Sequence, residues 1–241
     1  MSTFTNLFRT FAILALAVTF IFPIRPSVAE AASRPTWQDY MRSYSGSRTR
    51  TDESQEVRNS SSRERYSSAM QKAIKNLDED EVEDLPIPIL LGVARPDLTK
   101  NFGDPRDDGA RSHEGLDILA LRGSFVSSPT DAVVVKVGTG ESAGKYVTTA
   151  NPGGETFTYM HMDAVAEGIK AGKVLEPGDL IGYVGDTGNA KGGVTHLHFE
   201  IRKDRKAMDP YPRLTKEFTT KERIATLLDI VKLLQAELKK K

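Results

Sequence analysis

The residues best suited to chemistry in this 241-residue chain are its four histidines, which all fall in three short motifs. The motifs are His113-Glu114-Gly115-Leu116-Asp117, Tyr159-Met160-His161 and Thr195-His196-Leu197-His198-Phe199-Glu200-Ile201. Imidazole nitrogens and carboxylate oxygens bind zinc, and three such ligands leave a fourth position open, as in catalytic zinc sites. Because the chain has no cysteine, any metal must be held by nitrogen and oxygen. The motifs therefore predict a catalytic metal centre.

The longest motif has the alternation of a half-buried β-strand. Alternate residues of a strand share a face, so His196, His198 and Glu200 point one way and the apolar residues between them point into a core. Burial of the apolar face fixes the register and thereby the direction of both imidazoles. Glu200 either supports an imidazole or faces solvent, and the sequence favours neither. Tyr159 and His161 are expected to form a second alternating pair.

The ligand set takes one residue from the histidine pair of the longest motif. His113 and Asp117 are four residues apart and can reach one cation if the chain bends, which Gly115 permits. Together with either His196 or His198 they make a set of three ligands. The two remaining histidines can then move protons or stabilise a developing oxyanion.

Short strands separated by turn residues are expected to position these motifs. Apolar and β-branched runs predict strands over residues 132–137, 146–150, 156–161, 180–184 and 196–201. Eighteen of the nineteen glycines lie between Gly92 and Gly193, as many short strands with frequent turns require. The sequence therefore predicts a mainly β domain.

In combination and order, the motifs resemble those of the lysostaphin/LytM-type zinc peptidases. The matching stretches are Asn101-Phe102-Gly103-Asp104-Pro105-Arg106, His113 to Ile118, Tyr159 to His161, Leu180 to Gly188 and His196 to Glu200. The resemblance implies a compact antiparallel β-sheet domain with an open groove and one zinc ion. It further implies that His113, Asp117 and His198 are the zinc ligands and that His161 and His196 are catalytic.

The resemblance also implies a function and a partner. The chain is expected to be a zinc metalloendopeptidase that hydrolyses peptide cross-links in the peptide stems of bacterial peptidoglycan, with the D-alanyl–diaminopimelate bond as the expected target. The alternative is a non-catalytic LytM-like module that activates a separate cell-wall amidase. Such modules have lost metal ligands, whereas this sequence has all five expected histidine and aspartate positions.

Two other classes of protein are disfavoured. Gly140-Glu141-Ser142-Ala143-Gly144 matches the nucleophile elbow of serine hydrolases, but that motif should open a helix and here a β-forming run follows it. The 33 basic residues balance the 33 acidic ones, so no nucleic-acid partner is expected.

The N-terminus has the pattern of a secretory signal. Arg9 precedes an apolar run over residues 11–24, and Ala29-Glu30-Ala31 has the spacing that signal peptidase recognises. We expect residues 1–31 to be a cleaved signal peptide and the protein to be exported to a bacterial periplasm. An uncleaved N-terminal anchor is the alternative and is the expected route to any membrane contact.

The composition divides the rest of the chain into three parts. Residues 32–85 are rich in serine and end in an acidic run at residues 78–84, which predicts a flexible polar linker with one weak helix near residues 63–77. Residues 86–214 are expected to form the zinc peptidase domain. Residues 215–241 are expected to form an amphipathic helix, since Ile224, Leu227, Leu228, Val231, Leu234 and Leu238 fall on one helical stripe. That stripe is expected to pack on the domain or on a partner.

Overall fold

The computed structural model describes residues 66–239. Its elements in chain order are α1 (Ser68–Lys75), β1 (Leu85–Pro86), β2 (Pro105–Arg106), β3 (Arg111–Ser112), β4 (Leu116–Leu119), β5 (Phe125–Ser127), β6 (Ala132–Gly140), β7 (Gly144–Asn151), β8 (Glu155–Val165), β9 (Val174–Leu175), β10 (Leu180–Val184), β11 (His196–Lys203), β12 (Lys206–Met208), β13 (Leu214–Lys216) and α2 (Thr220–Lys239). The expected signal segment and residues 32–65 of the expected linker lie outside the described residues.

Nine of the strands form one antiparallel sheet. Its main path is β12-β11-β8-β7-β6-β9, while β4 pairs with β11 and β10 pairs with both β5 and β8. Strands β2 and β3 form a separate antiparallel hairpin, and β1 pairs in parallel with β13. The mainly β, antiparallel fold expected from the sequence is therefore confirmed, and each of the five predicted strands lies within an observed one.

The core lies on one face of the central strands. In β11, Leu197, Phe199 and Ile201 are fully buried in the main hydrophobic cluster, as the alternation predicted. Phe199 packs edge-on against Phe157 of the neighbouring β8, with ring centroids 5.4 Å apart. Burial of these large side chains fixes the register of β11, so His196 and His198 occupy the opposite face.

The described part of the expected linker, residues 66–85, contains the helix expected near residues 63–77, but this part packs on the domain and is no flexible linker. Residues 68–75 form the helix α1, whose first turn is capped by the Ser67 hydroxyl accepting from the Met70 backbone N–H. Met70 is buried against Val133 and Val135 of the sheet. Met70, Ala73 and Ile74 of this short helix, together with the flanking Tyr66 and Leu77, pack on the sheet, so the flexible linker does not extend to residue 85.

The acidic run also contacts the domain. Glu81 forms an ion pair with Lys203, and Asp84 accepts a hydrogen bond from Thr215 at 2.6 Å. Leu85, immediately after the run, is fully buried and begins strand β1. The folded unit therefore starts before the expected boundary at Pro86, and the residues following the acidic run belong to its core.

Helix α2 forms within the predicted C-terminal segment, after the short strand β13. A capping box begins it: the Thr219 hydroxyl accepts from the Glu222 N–H, and the Glu222 carboxylate accepts from the Thr219 N–H at 2.6 Å. The helix contacts the domain through Thr226, whose hydroxyl donates to the Gly178 carbonyl at 2.7 Å. Within residues 66–239, neither helix combines the length and the apolar character that a membrane span requires.

Candidate metal centre

Three potential ligand atoms converge on the face of the sheet opposite the core. His198 on β11 lies directly across from Asp117 on β4, and its Nδ1 is 2.8 Å from Asp117 Oδ1. His113 Nε2 is 3.0 Å from the same oxygen and 2.9 Å from His198 Nδ1. All three side chains are buried. Two imidazole nitrogens and one carboxylate oxygen thus form a triangle of the size and chemistry that a metal ion needs.

Asn101 orients two of these ligands. Its backbone carbonyl lies 2.6 Å from His113 Nδ1, so that nitrogen donates to it and Nε2 keeps its lone pair toward the triangle. Its side-chain oxygen accepts from the Asp117 N–H at 3.2 Å. Asn101 is itself buried. One residue therefore holds both ends of the HxxxD motif in place.

A chain of three charged residues orients His198 from behind. His198 Nε2 donates to Glu200 Oε1 at 3.2 Å, and Arg202 donates to the other Glu200 oxygen at 2.8 Å. Arg202 also binds Glu114, the residue after the ligand His113, at 2.5 Å. Glu200 is buried, so its role as support for an imidazole is the one that the structure shows. The hydrogen on Nε2 leaves Nδ1 of His198 available to a metal.

Arg106, on the β2–β3 hairpin, completes the surroundings of Asp117. It donates to Asp117 Oδ2 at 2.7 Å, which leaves Oδ1 as the oxygen that faces the two histidines. Sequence reasoning gave no role to Arg106 or Asn101, although both lie in the first stretch that resembles the zinc peptidases. Their position in that motif was the available signal.

His161 reaches the site because β8 is irregular at that point. The β7–β8 register shifts between Lys145 and Val147, and His161 adopts a left-handed backbone with φ of 61°. Tyr159 packs in the core against Phe199, whereas the His161 ring lies beside His196 and His198. The alternation expected between Tyr159 and His161 is therefore wrong, because the bulge turns His161 to the other face.

His161 and His196 form a pair next to the triangle. Their ring centroids are 4.9 Å apart, and His196 Nε2 lies 3.8 Å from Asp117 Oδ1. Each ring donates from Nδ1 to a backbone carbonyl, His161 to Thr187 and His196 to Val194, both at 2.9 Å. These hydrogen bonds place Nε2 of each ring as the acceptor nitrogen.

The electrostatics separate the two kinds of histidine. Burial, reinforced by His196 and His198, lowers the pKa of His161 to about 3, and burial also lowers the pKa of His196. Burial opposes charge on His198 too, but its contacts with Asp117 and Glu200 raise its pKa to about 9. Burial raises the pKa of Asp117, yet its interactions with His113, His198 and His196 outweigh burial and hold that pKa well below its ordinary value.

These pKa values test whether the site suits a cation. The pKa of Asp117 is lowered and that of His198 is raised, so the carboxylate and the imidazole each favour a cation between them. The donor set, two imidazoles and one carboxylate with both outer nitrogens already satisfied, therefore fits zinc.

Gly115 is needed for space rather than for a bend. Its φ is not in the left-handed region, but a Cβ at this position would lie 2.7 Å from His198 Nε2 and 2.7 Å from the Phe199 carbonyl oxygen.

The serine motif around Ser142 forms the turn between β6 and β7 and opens no helix. This supports the expectation that the motif is not a nucleophile elbow.

The antiparallel sheet presents a buried triangle of two histidines and one carboxylate, the donor set of a catalytic metal centre. The sequence model of peptidase family M23 matches residues 111–210, which include His113, Asp117, His161, His196 and His198. Residues 111–210 therefore match peptidase family M23, a metallopeptidase family, and the resemblance expected from the motifs is confirmed.

Individual relatives are similar over the same part of the chain. The L-Ala–D-Glu endopeptidase of Bacillus subtilis (strain 168) is 34% identical over 139 residues, which are 54% of this chain and 42% of that protein. DD-carboxypeptidase/endopeptidase Mpg of Neisseria meningitidis serogroup B (strain ATCC BAA-335 / MC58) is 33% identical over 102 residues, 42% of this chain and 22% of that protein. The lysostaphin catalytic domain from Staphylococcus simulans matches with a TM-score of 0.43 and 24% identity, covering 50% of this chain and 94% of that domain. The chain spans less than half the length of the curated relatives it matches.

Proposed function

We propose that the protein is an exported zinc-dependent endopeptidase that hydrolyses peptide cross-links of bacterial peptidoglycan. The observation that carries the proposal is the triangle of His113, Asp117 and His198 donor atoms at 2.8–3.0 Å, beside two uncharged histidines. Names of relatives support the substrate class, because one is an L-Ala–D-Glu endopeptidase and another a DD-carboxypeptidase/endopeptidase. These names refer to different bonds, and for this chain we propose the D-alanyl–diaminopimelate bond.

His113, Asp117 and His198 would hold one zinc ion. When bound there, zinc polarises the scissile carbonyl and lowers the pKa of a water ligand to about 7. Asn101, Glu200 and Arg106 keep the three ligand atoms pointed inward whether or not the ion is present. The protein thus contributes a prearranged, buried donor set.

His161 and His196 would move the protons of hydrolysis. Cleaving an amide adds the water oxygen to the carbonyl carbon, breaks the C–N bond and transfers a proton to the leaving nitrogen. A neutral imidazole can accept the first proton and deliver it to the amine, and the other can donate a hydrogen bond to the oxyanion. The low pKa values keep both rings neutral at neutral pH. The two rings are placed alike, so either can be the principal base.

The test is digestion of isolated sacculi by the full chain, with and without a zinc chelator, followed by mass spectrometry of the released muropeptides. Chelator-sensitive loss of cross-linked dimers is the expected result, and the product masses identify the bond. Asp117→Ala is expected to lose both zinc and activity, whereas His161→Ala and His196→Ala are expected to keep zinc and lose turnover. Intact sacculi with folded, zinc-loaded protein would contradict the proposal and favour the amidase-activating module.

A further inference from the structure

Helix α2 carries an apolar seam that is only partly covered, because two of its residues, Leu227 and Val231, are partly buried and the other three are exposed. Its seam residues are Ile224, Leu227, Val231, Leu234 and Leu238. Their spacings of three, four, three and four residues are those of the a and d positions of a heptad repeat. Along the seam, Ile224, Leu234 and Leu238 are exposed, with 67% of Leu238 accessible. These three side chains stay in water unless a partner packs along the seam.

The buried anchor of α2 on the domain does not lie on the exposed part of the seam. Thr226, the buried contact to Gly178, is a c position and lies about 140° around the helix from Val231. The Glu222 side chain lies against Gly178 as well, in the first turn. The helix is thus anchored near its N-terminus while the seam runs away from the anchor with nothing described against it.

We propose that the seam pairs with the same seam of a second copy of this chain, forming a parallel two-stranded coiled coil. The positions favour this partner: the a positions are Ile224, Val231 and Leu238, of which the first two are β-branched, and the d positions are Leu227 and Leu234, and β-branched a with leucine d favours parallel dimers. A partner helix stays in contact along the whole seam only if its apolar residues have the same 3.5-residue period. Two identical helices in register meet this requirement.

Charges support the same arrangement. Asp229 and Lys232 occupy the f and b positions, pair with each other at 2.7 Å and point away from the seam. No described charged side chain from residue 224 to residue 238 falls at a or d. Two copies can therefore approach in parallel without burying a charge.

The seam is only about two heptads long, so it produces a weak dimer rather than an obligate one. Dimerisation links two peptidase domains. Binding of the first domain to a polymer therefore raises the local concentration of the second domain at the same polymer. This consequence rests on the proposed function, whereas the self-association does not and is tested without any activity measurement.

The experiment is analytical ultracentrifugation of the full chain and two matched variants. Leu234→Asp places a charge at d, and Leu233→Asp places the same charge one residue away at c, where the leucine is also exposed. We expect the wild-type chain to show a monomer–dimer equilibrium, Leu234→Asp to raise its dissociation constant at least about tenfold, and Leu233→Asp to leave it unchanged. Circular dichroism of all three confirms that α2 forms.

Engineered cysteines test the orientation, since the chain has none of its own. Leu238→Cys would lie beside its symmetry mate in a parallel dimer and should form an interchain disulfide on mild oxidation, whereas Leu233→Cys should not. A monomeric wild-type chain, equal effects of the two aspartates, or equal cross-linking at both positions would overturn the proposal. So would a monomer that binds phosphatidylglycerol vesicles through Leu234, because a lipid surface would then occupy the seam.

Discussion

Substitution of Gly115 by alanine tests whether the closeness of β4 and β11 sets the metal site. The new Cβ would lie 2.7 Å from His198 Nε2, about 0.7 Å inside an ordinary contact of 3.4 Å. The Phe199 carbonyl on the same side belongs to the paired β4–β11 ladder and cannot yield without breaking it. The His198 ring must therefore move, and its 3.2 Å hydrogen bond to Glu200 is lost first.

Two magnitudes follow from this displacement. Overpacking of a tight interior costs about 1–3 kcal/mol, which lowers the Tm of a domain of this size by about 2–4 °C per kcal/mol. Loss of the hydrogen bond that orients a metal-binding histidine weakens metal affinity by about 10–100-fold. Both effects are expected for Gly115→Ala, and the loss of zinc affinity is expected to reduce activity more than the loss of stability does.

The assay is zinc affinity by competition with a chromophoric chelator, together with thermal unfolding in the presence of excess chelator. Gly140→Ala is the matched control, because Gly140 has no left-handed φ and a Cβ there would meet its nearest neighbours at 3.9 Å. The control should bind zinc and unfold like the wild-type chain. Zinc affinity for Gly115→Ala within twofold of wild type would refute the idea that this glycine protects the position of His198.

Three further predictions test the surroundings of the site. Glu200→Gln should weaken zinc binding about 10-fold or more, measured by chelator competition, because it removes the charge that fixes the His198 tautomer. In metal-free protein the folded state keeps His161 neutral down to a pKa of about 3 while the unfolded chain binds a proton near pH 6.5, so stability is lost as pH falls below 6.5. His161→Asn should therefore reduce the loss of unfolding free energy between pH 6 and pH 5 by about 1 kcal/mol in urea titrations. Arg213→Met should cost about 3–5 kcal/mol because it leaves the buried Glu155 carboxyl without its ion-pair partner, while Arg122→Met, which breaks only pairs at the surface, should cost under about 1 kcal/mol.

Local pattern was sufficient for the strands that carry the site. The alternation from His196 to Ile201 predicted both the strand and its buried face, because one apolar face must leave water. Pattern alone left open whether His196 or His198 joins Asp117 at the metal. That choice depends on the register between β4 and β11, where His198 pairs with Asp117, and a register between strands 81 residues apart has no local signature.

The differences from expectation have the same origin in long-range contacts. The bulge that turns His161 toward the site arises where β7 and β8 fall out of register, and the sequence Tyr159-Met160-His161 reads as ordinary alternation. Composition predicted a linker over residues 66–85. The surface against which Met70 packs exists only once the sheet has folded, so composition could not predict this contact. Asn101 and Arg106 act through contacts with Asp117 that spacing along the chain does not reveal.

The parallel pairing of β1 with β13 makes the described domain close on itself. These strands are the first and the last of the fold, and Leu85 and Leu214 meet as fully buried register partners. Because contacts so distant along the chain form late, folding is expected to finish only when the C-terminal strand is available. A polypeptide that emerges N-terminus first therefore cannot close the fold around the candidate ligands, which lie between residues 113 and 198, until residue 214 has emerged.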